Sequence, residues 1–417
     1  MRVFKFGGAS VKDAAGVKNC VAVLEKVGRQ EIVMVVSAMG KMTNKLESVV
    51  DNYFKNKEEL KNTITEVVDF HNAILVELFP NKSHKVYKKT QELYEDLKGF
   101  LSRNKSPNYS FVYDQVVSFG ELLSTTIISN YLSEVHIENE WLDVRYVIKT
   151  DDKYRDANVN WEITQKNITS KVNRKTLTIT QGFLGSDKNN NTTTLGREGS
   201  DYTAAIFAYC LNATNVTIWK DVPGVLNADP RYFENTELLH QISYEEAIEL
   251  AFYGASVIHP KTLQPLQRKE IPLYVKSFLN PEANGTCVSK GKQLEPFVPC
   301  FIVKKNQVLI SLSSLDFSFI VEENISDIFA LLHQYKLKVD VIQNSAISFT
   351  VCANDTYGNL NDILQVLRSK YRVTSNSDVS LYTIRHFNDT SLAQVVNNKE
   401  VLFKQENRKT LQVITKG

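Results

Sequence analysis

Five apolar residues in a row, Ile32-Val33-Met34-Val35-Val36, constrain this chain more than any other feature. A strand with one wet face alternates polar and apolar side chains, and a run without alternation has no face to give to water. It predicts a strand covered on both sides, in a parallel sheet sandwiched between helices; periodicity alone leaves a short buried helix open as the alternative. Upstream, Val3-Phe4-Lys5-Phe6 reads as a strand, Gly7-Gly8 as a turn, and Ser10-Val11-Lys12-Asp13 as a capping-box-like start to a helix reaching about Val27. Strand, helix, strand is a βαβ unit.

The same alternation continues. Leu46 to about Arg103 is helical in pattern, with a solvated charged face. Leu177-Thr178-Ile179-Thr180 reads as a strand and Asp187-Lys188-Asn189-Asn190-Asn191 as a hairpin tip. A helix over Tyr202 to Leu211, a buried strand Val216-Thr217-Ile218-Trp219, a helix capped by Ser243-Tyr244-Glu245-Glu246 and a strand Pro272 to Lys276 follow. This order predicts an α/β fold, a three-layer αβα domain over residues 1–280. Pro281 to Pro299 reads as a linker, placed at 281–300. Beyond it, Phe301–Ile310, Ile325–Tyr335, Leu337–Ile342, Ile347–Val351, Leu360–Lys370 and Val379–Arg385 run strand, helix, strand, strand, helix, strand, the ferredoxin-like order of a small α+β domain over 301–417.

Composition excludes several classes of function. A chain of 417 residues exceeds one ordinary core, so two domains are expected, one of more than 200 residues. Forty-nine Lys and Arg against forty-seven Asp and Glu leave a formal charge of +2, without the basic excess that nucleic-acid binding needs. A small phosphate ligand stays compatible with that balance. Cys20, Cys210, Cys287, Cys300 and Cys352 are scattered and odd in number, which predicts reduced thiols in a cytoplasmic protein and no metal site. The N-terminus turns polar within six residues and no apolar span of about twenty follows, so neither a secretory signal nor a membrane anchor is expected.

Several segments carry chemistry. Lys5-Phe6-Gly7-Gly8-Ala9-Ser10 puts a cation at a strand end, two residues without side chains, and a hydroxyl at a helix start. That set can cradle a phosphate through backbone N–H groups, and alone it reads equally well as a tight strand-to-helix turn. Neither the P-loop spacing nor Gly-x-Gly-x-x-Gly occurs. Ser37-Ala38-Met39-Gly40-Lys41-Met42-Thr43-Asn44 follows the second buried strand, where loops at the carboxyl ends of parallel strands form ligand crevices; an ordinary loop capped by Thr43 or Asn44 is the bland alternative. Glu121, in Ser118-Phe119-Gly120-Glu121 ahead of an apolar helix, could favour the helix's positive end or bind an ammonium. Gly196-Arg197-Glu198-Gly199-Ser200-Asp201 gathers a carboxylate-binding arginine, two flexible residues, a hydroxyl and an acid before a helix, which favours a functional site over the alternative of a capped turn. Trp219 to Arg231 is a structured loop after a buried strand, and His259-Pro260-Lys261-Thr262 a helix start.

Taken together and in this order, these segments, with Asp143-Val144-Arg145, Thr150-Asp151 and Gly254-to-Thr262, resemble the aspartate kinases of the amino-acid kinase family over residues 1 to about 280. The resemblance implies transfer of the γ-phosphoryl of Mg-ATP to the side-chain carboxylate of L-aspartate, the first step towards lysine, threonine and methionine. It implies Lys5 and Asp201 as catalytic residues, Lys5 on the transferring phosphoryl and Asp201 organising it. Thr43, Glu121, Arg197 and Ser200 would bind the substrate, Arg197 its α-carboxylate and Glu121 its ammonium. Gly7, Gly8 and Ser10 would line the phosphates, while Lys220, Asp221, Leu226, Arg231 and Lys261 would hold the nucleotide. Mg²⁺ would arrive on the ATP phosphates, with no protein metal site. The chain departs from the family pattern at Ala9, at Glu198, which adds a negative charge beside the substrate clamp, and at Leu226, where a tyrosine often meets the nucleotide. The C-terminal region resembles an ACT domain, a small ligand-sensing module; a second such module is expected to be incomplete or absent, with Val401-to-Phe403 and Thr410-to-Ile414 as leftover strands. A homodimer, with neither nucleic acid nor membrane as partner, completes the expectation.

Overall fold

The computed structural model describes residues 1–255 and 258–416 and divides the chain into two compact units. The first comprises Met1–Val225, Leu238–Ile248 and Ser256–Pro296. Its strands are β1 (Arg2–Phe6), β2 (Ile32–Val36), β3 (Asn139–Leu142), β4 (Leu177–Gln181), a hairpin of β5 (Leu184–Ser186) and β6 (Thr192–Thr194), β7 (Asn215–Lys220), the short β8 (Val225–Leu226) and β9 (Leu238–Leu239), β10 (Gln241–Ser243), β11 (Leu273–Ser277) and β12 (Thr286–Ser289). Eight of them form one sheet in the order β10-β12-β11-β7-β1-β2-β4-β3, parallel except between β11 and β12.

The apolar run is β2, and all five of its side chains are fully buried. Alternate residues explain why. Ile32, Met34 and Val36 join Phe4, Phe6, Ile179 and Trp219 in a core closed by α1 (Ala14–Val27), α3 (Lys57–Leu78) and α5 (Tyr109–Glu134). Val33 and Val35 point to the opposite face, and α7 (Gly199–Leu211) lies against β1, β2 and β7. The remaining helices of this layer system are α2 (Met42–Lys55), α4 (Lys85–Arg103), α6 (Trp161–Lys171) and α9 (Pro260–Arg268); α8 (Tyr244–Tyr253) and β8 are divided, with Glu249 onward and Leu226 counted in the second unit. Among the described residues no helix is long and apolar enough to cross a membrane.

Four local readings change. α1 starts not at Ser10 but after Asp13, whose carboxylate accepts the Gly16 N–H at 2.7 Å, and Gly8–Val11 is a separate 3₁₀ turn. Thr43 and Asn44 lie within the first turn of α2, which begins after Lys41 without a side-chain cap. Ser118–Glu121 is not ahead of a helix but in the middle of α5, which starts after Asn108, whose side chain accepts the Phe111 N–H at 3.1 Å. The stretch read as a linker contains β12, which pairs with both β10 and β11.

The second unit comprises Leu226–Glu237, Glu249–Ala255 and residues from Phe297 on. β13 (Cys300–Ser313), α10 (Glu322–Gln334), β14 (Lys338–Asn344), β15 (Ser348–Asn354), α11 (Leu360–Arg368) and β16 (Arg372–Arg385) follow the βαββαβ order, with strands side by side as β14-β15-β13-β16. After them come α12 (Ser391–Val396), β17 (Val401–Glu406) and β18 (Thr410–Lys416). The tail strands are more than leftovers. β13 and β16 are each 14 residues long and change register between Lys304 and Leu309. The first half of β13 and the last half of β16 thus continue into β18 and β17, giving a second four-strand array packed on α12 through Phe301, Ile384, Val395, Leu411 and Val413.

Candidate functional site

Parallel pairing sets the site's position. Phe6 stands opposite both Val36 and Trp219, and Val36 opposite Gln181, so the carboxyl ends of β7, β1, β2 and β4 lie side by side. Loops leaving such an edge form a crevice. Here they open a cleft of about 480 Å³ whose lining includes Lys5, Ser37, Thr43, Glu121, Arg197, Glu198, Ser200, Asp201 and Lys220. All four residues expected to bind the substrate and both expected to be catalytic are among them.

Lys5 is the penultimate residue of β1, its side chain 11% exposed, and its Nζ lies 2.6 Å from Oδ1 of Asp201, whose side chain is 4% exposed. Asp201 occupies the first turn of α7, where the helix's positive end favours a carboxylate. Two charges so nearly removed from water are tolerable only as a pair. Below them Glu121, 2% exposed, accepts the Ala38 N–H through Oε1 at 3.2 Å, while its Oε2 is buried with no hydrogen-bond partner. Burial pushes its carboxyl up to about 8 against the pull of the Ala38 N–H and Lys5. Glu198 precedes α7 in a left-handed conformation (φ 53°), and its Oε2 is likewise buried without a partner. Its carboxylate interacts with the His259 imidazole. The residue does face the cleft.

The glycine turn is built differently from expectation. A Cβ on Gly8 would stand 2.6 Å from the Gly40 carbonyl oxygen and 2.8 Å from that of Ala38, so Gly8 lets the loop after β2 close on the loop after β1. A Cβ on Gly7 would meet only the Lys5 Nζ, at 3.3 Å. Ser10 is turned inward, 1% exposed, and its hydroxyl donates to the Trp219 carbonyl at 3.3 Å; it is not among the cleft's lining residues.

The expected nucleotide contacts are dispersed. Lys220, half-buried at the end of β7, lines the cleft, and Asp221 beyond it is exposed. Lys261, at the start of α9, is 2.5 Å from the Asp156 carboxylate and also donates to the Leu195 carbonyl at 3.3 Å. Leu226 and Arg231 belong to the second unit, where Arg231 is exposed and grips Asp229 through Nε at 3.0 Å and Nη2 at 2.6 Å. Within Gly254–Thr262, Ser256 and Val257 lie outside the described residues. Tyr113, Arg155 and Phe183 also line the cleft and carried no motif signal. Asp151–Ala157 is a loop far in sequence from the glycine turns, and only tertiary packing brings it to the strand ends.

A buried lysine–aspartate pair, a poised carboxyl and cleft-facing cations suit chemistry that must bring two anions together. The amino acid kinase family model matches residues 1–277, and the chain belongs to that family. It is 33% identical to the lysine-sensitive aspartokinase 3 of Escherichia coli K12 over 359 residues, 85% of this chain and 78% of that enzyme. It is 31% identical to the bifunctional aspartokinase/homoserine dehydrogenase of Buchnera aphidicola over 376 residues, 86% of this chain but only 45% of that protein. Its structure superposes on E. coli aspartokinase III in complex with lysine and aspartate with a TM-score of 0.84 at 28% identity, covering all of this chain and 96% of that one. The same enzyme with aspartate and ADP gives 0.82. Within the family the chain stands with the aspartokinases, ATP-dependent phosphotransferases.

Proposed function

We propose that the cleft holds the side-chain carboxylate of L-aspartate against the γ-phosphoryl of ATP, giving 4-phospho-L-aspartate and ADP. The single observation that carries this reading is the Lys5–Asp201 pair at 2.6 Å, at the joined strand ends and lining the same cleft as Glu121. An aspartate side chain, with a pKa of about 3.9, is ionised at neutral pH and needs no general base. The barrier is the approach of two anions, so catalysis is positioning and charge neutralisation. Lys5 has three donors. Asp201 takes one and thereby aims the others at the acceptor carboxylate and the transferring phosphoryl. The unpartnered Oε2 of Glu121 accepts the substrate ammonium, and Arg197, exposed at the rim, takes the α-carboxylate, with Thr43 and Ser200 adding hydrogen bonds.

Lys220 in the cleft lining, and Gly7 beside the Lys5 Nζ, support a place for the phosphates at Lys5, while Asp221 and Lys261 are assigned to the nucleotide from the resemblance. The assignments of Gly8, Ser10, Leu226 and Arg231 to the nucleotide rest on the sequence resemblance. No cluster of three or more metal-ligating groups occurs among the described residues, and Asp201 is committed to Lys5. By the same resemblance an Mg²⁺ would be carried on the ATP phosphates, where it would neutralise charge on the transferring group. The second unit's βαββαβ array supports an ACT-like regulatory role for residues 301–417, and five free cysteines support a cytoplasmic setting. ADP release measured with a panel of acids tests the central claim: turnover with aspartate and not with glutamate is expected, and the reverse would overturn it.

A further inference from the structure

The rim of the cleft carries a cation that the sequence motifs did not single out. Arg155 has a left-handed backbone, φ 71°, which costs a non-glycine residue on the order of 1 kcal/mol. The conformation is held from below. Its N–H donates to both carboxylate oxygens of Asp114, each at 3.1 Å, and this wholly buried carboxylate also accepts the Thr194 N–H and hydroxyl, both at 2.8 Å. The guanidinium lies over the Tyr113 ring, 4.2 Å from its centre, with Tyr109 5.6 Å away. Stacking on a ring fixes the guanidinium plane and leaves its in-plane donors open to a carboxylate.

Its acidic partner is weak. Arg155 reaches Glu47 at 3.4 Å, and the two side chains are 44% and 39% exposed, so the pair is readily exchanged. Glu47 is one helical turn after Thr43 on α2, so Arg155 guards the Thr43 side of the cleft. Its loop also presses on the loop of Arg197: a Cβ on Gly196 (φ 79°) would fall 2.6 Å from Oδ1 of Asp156 and 3.4 Å from the Arg155 carbonyl oxygen. Two arginines thus hang from touching loops at one rim, while Lys5 and Lys220 rise from the strand ends.

A dicarboxylate entering this cleft must present one carboxylate to the phosphoryl group and keep the other away from it, because the negative charges repel. We infer that Arg155 exchanges Glu47 for the α-carboxylate of the substrate, sharing it with Arg197, and so selects which carboxylate reacts. This rests on the aspartate reading above. The Arg155→Gly variant keeps the left-handed backbone without strain. It should raise the KM for aspartate by ~10- to 100-fold, the loss of a charged hydrogen bond, and leave the KM for ATP within about twofold. Glu47→Gln should lower the aspartate KM, since Arg155 then has no carboxylate to give up. Two inhibitors of aspartate turnover separate ligand loss from a loosened loop: succinate has both carboxylates, whereas 3-aminopropanoate lacks the α-carboxylate. Arg155→Gly should weaken succinate alone. Equal weakening of both, or an unchanged aspartate KM, would overturn the assignment, whereas a wild type that releases no ADP with aspartate would overturn the reading beneath it.

Discussion

Lys5 and Asp201, far apart in sequence, meet at the carboxyl edge of the first unit's sheet with both side chains nearly out of solvent. Removing one member leaves the other charged and buried, which typically costs about 3–5 kcal/mol. Lys5→Ala should therefore abolish turnover and also lower the urea midpoint. The double variant Lys5→Ala/Asp201→Asn should regain much of the stability and none of the activity, and urea titrations beside kcat measurements would show it. Glu121 gives a second prediction. Its carboxyl sits at about 8 when folded against an ordinary 4.5, so across that window the native chain holds a proton that the unfolded chain has released. Stability should fall as pH rises from 4.5 to 8 and level off above. Asp114, raised by burial to about 6, adds to the same slope at its lower end. An ammonium ligand needs Glu121 ionised, so the aspartate KM should fall as pH approaches 8, and Glu121→Gln should remove that dependence. At this scale the sequence was informative about Lys5, Arg197, Glu121 and Asp201, because each stands in a short motif. It was silent about Arg155 and Tyr113, which reach the cleft only through tertiary contacts with Asp114 and with each other.

At the scale of elements, the apolar run of β2 was legible because burial on both faces erases alternation, and that one fact implies the layers above and below. Capping was less legible. Ser10 and Asp13 both offer an N-cap oxygen, and the inward turn of Ser10 onto Trp219 decides for Asp13. Gly7 and Gly8 look alike in sequence and differ in structure. Gly8→Ala sets a methyl group against two backbone carbonyls that cannot yield, and should cost about 1–3 kcal/mol by the usual scale of overpacking. Gly7 has φ −77°, which alanine accepts, and its added methyl would touch only the flexible end of Lys5. Gly7→Ala should therefore leave the melting temperature nearly unchanged while lowering kcat. Calorimetry on both variants, set beside their rates, tests the distinction; a stable Gly8→Ala protein would remove the close-packing role.

The whole molecule was the least legible scale, because its units are not continuous in sequence. Asn227 accepts the Glu237 N–H at 2.7 Å and donates to the Pro299 carbonyl at 3.0 Å, and Phe233 packs on Phe301 with ring centres 5.3 Å apart, so Leu226–Glu237 is drawn into the second unit. No local pattern announces such pairings. The second unit's six-stranded sheet ends at β14 on one side and β17 on the other, each with one row of backbone groups unpaired within the sheet. β14 exposes Ile342, 44% accessible, and β17 exposes Val401, 45% accessible, but β14 alone is an edge of the βαββαβ module itself. A bare edge with an exposed apolar side chain is a template for a second strand, and natural proteins either blunt it or pair it. Pairing between two copies would join their edges into one larger sheet around a twofold axis. The expected state is thus a homodimer formed through β14, and light scattering at micromolar concentration should return twice the chain mass. Ile342→Lys, which adds a charge to that edge, should shift the mass to the monomer without changing the melting temperature of a dilute sample. A wild-type monomer at micromolar concentration would rule the dimer out, and a dimer that survives Ile342→Lys would move the interface away from β14.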